Sequence, residues 1–133
     1  MLPFNAILTS LGNRALFGRF TTKALHSLFQ QAVGGVTPAV FCVRLRSVLD
    51  VDVTEELASV ALPILYLQAR ADNVVPRSAT ALIQKIRPEM RLVETDSPHC
   101  LLQVVSQDAA RVIGEFVVST TYAMVAPIRE PCR

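Results

Sequence analysis

Two side chains of this sequence stand where acid–base chemistry could be built. Asp72 lies in Ala71-Asp72-Asn73, just after the short apolar run Ile64-Leu65-Tyr66-Leu67-Gln68. His99 lies in Asp96-Ser97-Pro98-His99, just after Arg91-Leu92-Val93-Glu94-Thr95. A carboxylate beside an imidazole fixes its tautomer and stabilises its protonated form, which is the pair a nucleophilic hydroxyl needs. Each residue also has a plainer reading: Asp-Asn is a turn-forming pair, and a histidine after proline can cap a loop. Only a fold that closes the 27 positions between them can decide the matter.

Other reactive side chains carry less. Ser97 and Cys100 flank His99, but neighbours in sequence rarely point at one another productively, and the Ser97 loop is not a strand-to-helix elbow. Cys100 is expected to pack against the final helix. His26 is placed on an exposed helix face without a role; Arg44 and Arg46 could face an anionic substrate, but a solvated helix face is the favoured reading. Cys42, Cys100 and Cys132 form neither a paired framework nor a Cys-x-x-Cys metal spacing, and read as buried or terminal thiols of a reducing cytosol. No metal or cofactor is called for.

The elements that must position the pair come next. Residues 1–35 read as helical, with Leu16, Phe20, Leu25, Leu28 and Phe29 as a rough stripe and Gly34-Gly35 as the stop. Pro38 opens a second helix to about Leu49, with Val40, Val43, Leu45 and Val48 expected to face inward. Asp52-Val53-Thr54-Glu55 fits a capping box for a short helix to about Val60. Ile64–Gln68 then suits a strand buried on both faces. A helix follows over Arg77–Ile86, then a strand over Arg91–Thr95 and a last helix from Ser106 to Val118. On that helix Ala109, Val112, Ile113 and Phe116 form the inner stripe, and the tail from Thr120, with Pro127 and Pro131, is irregular.

Strand–helix–strand–helix is a βαβ unit, so the two strands must be parallel and their exit loops must lie side by side. In open α/β sheets those loops carry the function. A two-stranded parallel sheet has two open edges and two faces to cover, more than the remaining helices can supply. The sequence therefore reads as an incomplete domain, or one completed by a partner through its open sheet edges, which also allows self-association.

Pro63-Ile64-Leu65-Tyr66-Leu67, Asp72-Asn73-Val74-Val75-Pro76 and Ser97-Pro98-His99-Cys100-Leu101-Leu102-Gln103, with a closing helix through Phe116, together resemble the C-terminal third of α/β-hydrolase enzymes. The resemblance covers roughly 62–118. It implies an α/β class with three parts: a helical, cap-like region and linker over 1–61, a hydrolase sheet unit over 62–119, and a tail over 120–133. It maps Asp72 to the triad acid and His99 to the triad base, in the order Ser, Asp or Glu, His found in that family. The departures are Ala69 and Ala71 where glycine often precedes the acid, and Pro98 where glycine often precedes the base. A larger departure lies upstream: none of the five glycines makes a Gly-x-Ser-x-Gly, and no oxyanion-hole segment is present. The implied ancestry is a serine ester hydrolase acting on a small, ester-like substrate. The other reading is a non-catalytic product or interaction subunit.

Composition narrows the remaining classes. Of 133 residues, 51% are hydrophobic and 18% charged, a globular balance with no run approaching a bilayer span. Residues 1–49 hold no acid and five bases, whereas 50–133 hold all 11 acids and eight bases, so the halves stand at +5 and −3. An acid-free start can be a targeting segment or a membrane-surface helix, but its bases are sparse, which favours a solvated face. No basic stripe with interleaved aromatics suggests nucleic acid. A cytoplasmic location is the default expectation.

Overall fold

The computed structural model describes residues 4–125, with side chains placed for residues 6–122. Four helices come first: α1 (Phe4–Leu16), α2 (Lys23–Gly34), α3 (Pro38–Asp50) and α4 (Thr54–Ser59), with one 3-10 turn at Gly18–Phe20. The second half runs β1 (Leu65–Ala69), α5 (Arg77–Ile86), β2 (Arg91–Thr95), α6 (Leu101–Val104) and α7 (Ser106–Val125). The class is mixed α/β, mostly helical, with a small parallel sheet.

Local chemistry sets the helix starts. Thr22 accepts from the Leu25 amide at 3.2 Å, and Thr37 from the Val40 amide at 3.3 Å with Pro38 following as the first helical residue. These hydroxyls satisfy amides that have no partner within their helices. Gly18 carries a φ of 51°, a left-handed turn that glycine takes without strain, and it redirects the chain after α1. Gly12 lets α1 approach α2: a Cβ there would stand 2.5 Å from the Phe29 ring. Phe29 in turn meets the buried Phe17 edge-to-face, centroids 6.1 Å apart.

The sheet is a single parallel pair in the register Leu65↔Arg91 through Ala69↔Thr95. α5 provides the crossover, and α7 lies against β1. Strand residues other than Ala69 stay half-buried or exposed, so the expected burial on both faces is not achieved. The reason is the one that topology dictates: two strands offer two faces, and the described helices cover them only partly. The chain exposes 10141 Å², against roughly 6,900 Å² for a compact protein of its mass by the usual scaling.

Four expectations are corrected. Val40, Val43, Leu45 and Val48 do not face inward; all four are exposed, and among the described residues no element packs extensively on α3. Asp52 does not close a capping box. Its Oδ1 accepts from the Thr54 amide at 3.0 Å, a two-residue turn, and that bond holds its carboxyl below the ordinary range. Along α7, Ala109 and Val112 are buried and Phe116 half-buried, but Ile113 is exposed. The irregular tail does not begin at Thr120, since α7 continues to Val125. Thr120 and Thr121 bond back to the Phe116 and Val117 carbonyls, and no proline interrupts before Pro127. Pro127, Pro131 and Cys132 lie outside the described residues.

One structural residue gave no signal in the sequence. Arg87, buried at the end of α5, donates to the Leu57 carbonyl at 3.2 Å and to the Val60 carbonyl, and pairs with Glu89. A guanidinium there caps carbonyls at the end of α4, the Leu57 one in addition to its bond from the Val60 amide, and complements the helix dipole. Replacing Arg87 with Met should therefore loosen residues 54–60, raising their amide exchange roughly tenfold or more if about 1–3 kcal/mol of satisfied polar contact is lost. Unchanged exchange there would refute this role. The open sheet carries a further expectation: the purified chain should elute ahead of a 14.5-kDa monomer and melt without a sharp transition. A compact monomer with a cooperative melt would contradict it.

Candidate functional site

The parallel ladder does not stop at the strand ends. The Arg70 amide donates to the Thr95 carbonyl at 2.9 Å, and the Ala71 amide to the Ser97 carbonyl at 3.0 Å. These two bonds bind the loop leaving β1 to the loop leaving β2, so the segments that hold Asp72 and His99 are stitched together backbone to backbone. The second loop is further clamped. Ser97 and Pro98 are fully buried, and the Ser97 hydroxyl lies 2.6 Å from that of Thr95. Pro98 thus anchors His99 to a fixed point rather than leaving it on a free turn.

The side chains meet as a result. Asp72 Oδ2 stands 2.9 Å from His99 Nδ1. The other carboxylate oxygen, Oδ1, accepts from the Val74 amide at 2.7 Å and the Val75 amide at 2.9 Å. Asp72 is therefore both the turn former suggested by Asp-Asn and the partner of the histidine, one oxygen serving each purpose. Burial pushes its carboxyl up, but the amides of Val75 and Val74 together with His99 outweigh that and hold it below the ordinary carboxylate range. The ionised form is the one this site is built around.

An ionised Asp72 requires a proton on Nδ1 for that contact to be a hydrogen bond, which leaves the Nε2 lone pair of neutral His99 as an acceptor. Nε2 has no hydrogen-bond partner among the described residues, and the imidazole is one-third exposed. His99 borders two depressions. One, of about 200 Å³, also includes Tyr66, Gln68, Asp72, Arg77 and Thr80. The other, of about 500 Å³ and largely apolar, includes Leu65, Leu67, Cys100, Leu102 and Ile113. The arrangement can take a proton from a group presented to Nε2 and hold the resulting imidazolium against Asp72.

The neighbouring candidates do not complete a nucleophile. Ser97 is buried and engaged with Thr95. The Cys100 thiol is pushed up, first by burial and then by the charge of Asp72, so it keeps its proton and is a poor nucleophile. It borders the same depression as Ile113 of α7. Cys42 is exposed rather than buried. His26 is half-buried on α2 rather than fully exposed, and Arg44 and Arg46 are exposed on α3. Among the described residues no three His, Cys, Asp or Glu side chains gather as metal ligands.

No family model, curated protein or solved structure matches the chain.

The depressed Asp72 carboxyl has a pH consequence. Because its folded value lies below the ordinary 3.8, the stabilisation is fully present above that pH and is lost as pH falls through the lower folded value. Protection of the Val74 and Val75 amides, corrected for intrinsic exchange, should fall away only below pH 3.8. In Asp72→Ala it should already be about tenfold lower at neutral pH. Protection that is indifferent to both changes would show that the carboxylate does not organise this loop.

Proposed function

We propose that this chain carries the acid–base portion of an α/β-hydrolase-type serine ester hydrolase, with Asp72 as the triad acid and His99 as the base. The observation that supports this reading is the 2.9 Å contact between Asp72 Oδ2 and His99 Nδ1, made from the carboxyl ends of two adjacent parallel strands. Such a pair, with Nε2 unengaged, is what a serine hydroxyl requires in order to attack an acyl carbonyl. His99 accepts the serine proton and returns it to the leaving alcohol, while Asp72 holds the ring in the productive tautomer. The apolar depression beside His99 suits the acyl part of an ester. The serine and its oxyanion hole are not among these 133 residues, and in the proposed enzyme they come from a segment outside them.

A second reading, an interaction subunit, is favoured by one observation. Among the described residues each strand is paired on one side only, and strand residues other than Ala69 are half-buried or exposed, as in a sheet awaiting another strand. The two readings agree that another segment of chain belongs beside the sheet. They differ in whether that segment brings a nucleophile.

The purified chain should turn over p-nitrophenyl esters no faster than buffer and take no label from a serine-directed phosphonate, since nucleophile and oxyanion hole supply most of the rate. Full-length transcript sequence should place a Gly-x-Ser-x-Gly in frame with Asp72. In the protein so encoded, Asp72→Asn and His99→Ala should each lower kcat/KM by roughly 10³–10⁴. Turnover by the chain alone, or full activity in either variant, would overturn the assignment.

A further inference from the structure

α3 presents an apolar strip whose outer residues stay exposed. Leu45, Val48 and Leu49 are exposed at 47%, 68% and 74%, and Cys42 is exposed beside them. At 3.6 residues per turn these four fall within an arc of about 120°, which the half-buried Phe41 shares. Arg44 and Arg46, both exposed, fall roughly 100° to either side of its centre. Ser47 and Asp50 lie opposite, with Val40 and Val43. A helix with an apolar strip and an arginine on each flank is shaped for a boundary between hydrocarbon and charged headgroups. The arginine stems can lie along the apolar layer while their guanidinium groups reach the phosphates.

Charge indicates which surface. Asp50, the last residue of α3, is the first acid in the chain, so the strip sits in a 49-residue segment with five basic residues and no acidic one. A second copy of the same face would bring Arg44 and Arg46 against like charge, whereas an anionic lipid surface complements them. Length separates lying on a membrane from crossing one. α3 has 13 residues, about 20 Å at the helical rise, well short of the ~30 Å hydrocarbon core. No single helix among the described residues is long and apolar enough to span, and α2 and α3 reach that length only as a pair bent by 103°.

We infer that α3 docks this protein on anionic membrane surfaces, with Leu45, Val48 and Leu49 entering the headgroup–acyl boundary and Arg44 and Arg46 pairing with lipid phosphates. The inference is independent of the Asp72–His99 pair and stands whether or not that pair is catalytic.

The test is co-sedimentation of the whole chain with phosphatidylcholine vesicles holding 30% phosphatidylserine, against pure phosphatidylcholine. Binding should be confined to the anionic vesicles and weaken with salt. It should fall at least about tenfold in R44Q/R46Q, since each base near such a surface carries on the order of 1 kcal/mol of attraction. Leu49→Ser, an exposed position, should weaken binding without changing far-UV circular dichroism. An environment-sensitive fluorophore on Cys42, in a C100S/C132S background, should shift to the blue when anionic vesicles are added. Equal binding to neutral vesicles, no binding, or binding unchanged in R44Q/R46Q would overturn the inference. So would light scattering that shows self-association through this face, with the fluorophore shifting before lipid is added.

Discussion

Parallel pairing of Leu65–Ala69 with Arg91–Thr95 is the constraint from which the rest of the ordered site follows. A parallel pair cannot be closed by a tight turn, so the chain must leave β1, cross through α5 and return in the same direction. Both strands therefore end on the same side. The ladder then runs on past the strands, through Arg70–Thr95 and Ala71–Ser97, and draws the two exit loops together. Without those bonds Asp72 and His99 would share a side of the sheet but need not touch. With them, the carboxylate and the imidazole meet at 2.9 Å.

The same pairing leaves its mark on the surface. A short parallel pair gives each strand a single neighbour and presents two faces, and the described helices do not enclose them. Polar groups fill part of the gap. Glu94 lies 3.2 Å from Arg70 and 3.8 Å from Arg77, and Arg91 lies 3.9 Å from Glu115 on α7. These pairs are substantially exposed, so each contributes little, typically about 0–1 kcal/mol. Arg19–Asp96, which links the helical half to the loop before His99, is more exposed still. Such contacts orient neighbouring elements, and they do not substitute for an apolar core, which here is confined to a few residues such as Phe17, Ala69, Met90, Ala109 and Val112.

Within the site, the division of labour at Asp72 matters more than the single contact. Its Oδ1 organises the turn into Val74 and Val75, and its Oδ2 faces His99. Amide donors favour the ionised carboxylate more than burial disfavours it, so the negative charge is in place before any proton moves. That charge also acts on Cys100, where together with burial it works against a thiolate. One carboxylate thus fixes the tautomer of the histidine and works against ionisation of the neighbouring Cys100 thiol. The arrangement leaves His99 Nε2 without a hydrogen-bond partner among the described residues.

How much of this was legible in the sequence differs by element. The helix over Arg77–Ile86 and the strand over Arg91–Thr95 were readable to the residue, because Pro76 and Pro88 bound the helix and Pro88 and Asp96-Ser97-Pro98 bound the strand. The strand near Ile64 was readable to within one position, and the proximity of Asp72 and His99 followed from the topology of two parallel strands. The faces of α3 were not readable, since periodicity says which residues share a side but not whether another element lies over it. Arg87 was invisible for a related reason. Its partners are backbone carbonyls near 57 and 60, and carbonyls have no sequence signature. The extra turns of α7 were not readable either: threonines have low helix propensity, yet here Thr120 and Thr121 bond to carbonyls of their own helix, which runs on with no proline before Pro127. Sequence alone determined the order of strands and helices and the residue types at the loop tips, because short-range sterics and patterning set those. Tertiary structure alone decided which surfaces are covered and which oxygen of Asp72 meets the histidine, because those depend on contacts between parts of the chain that local chemistry does not bring together.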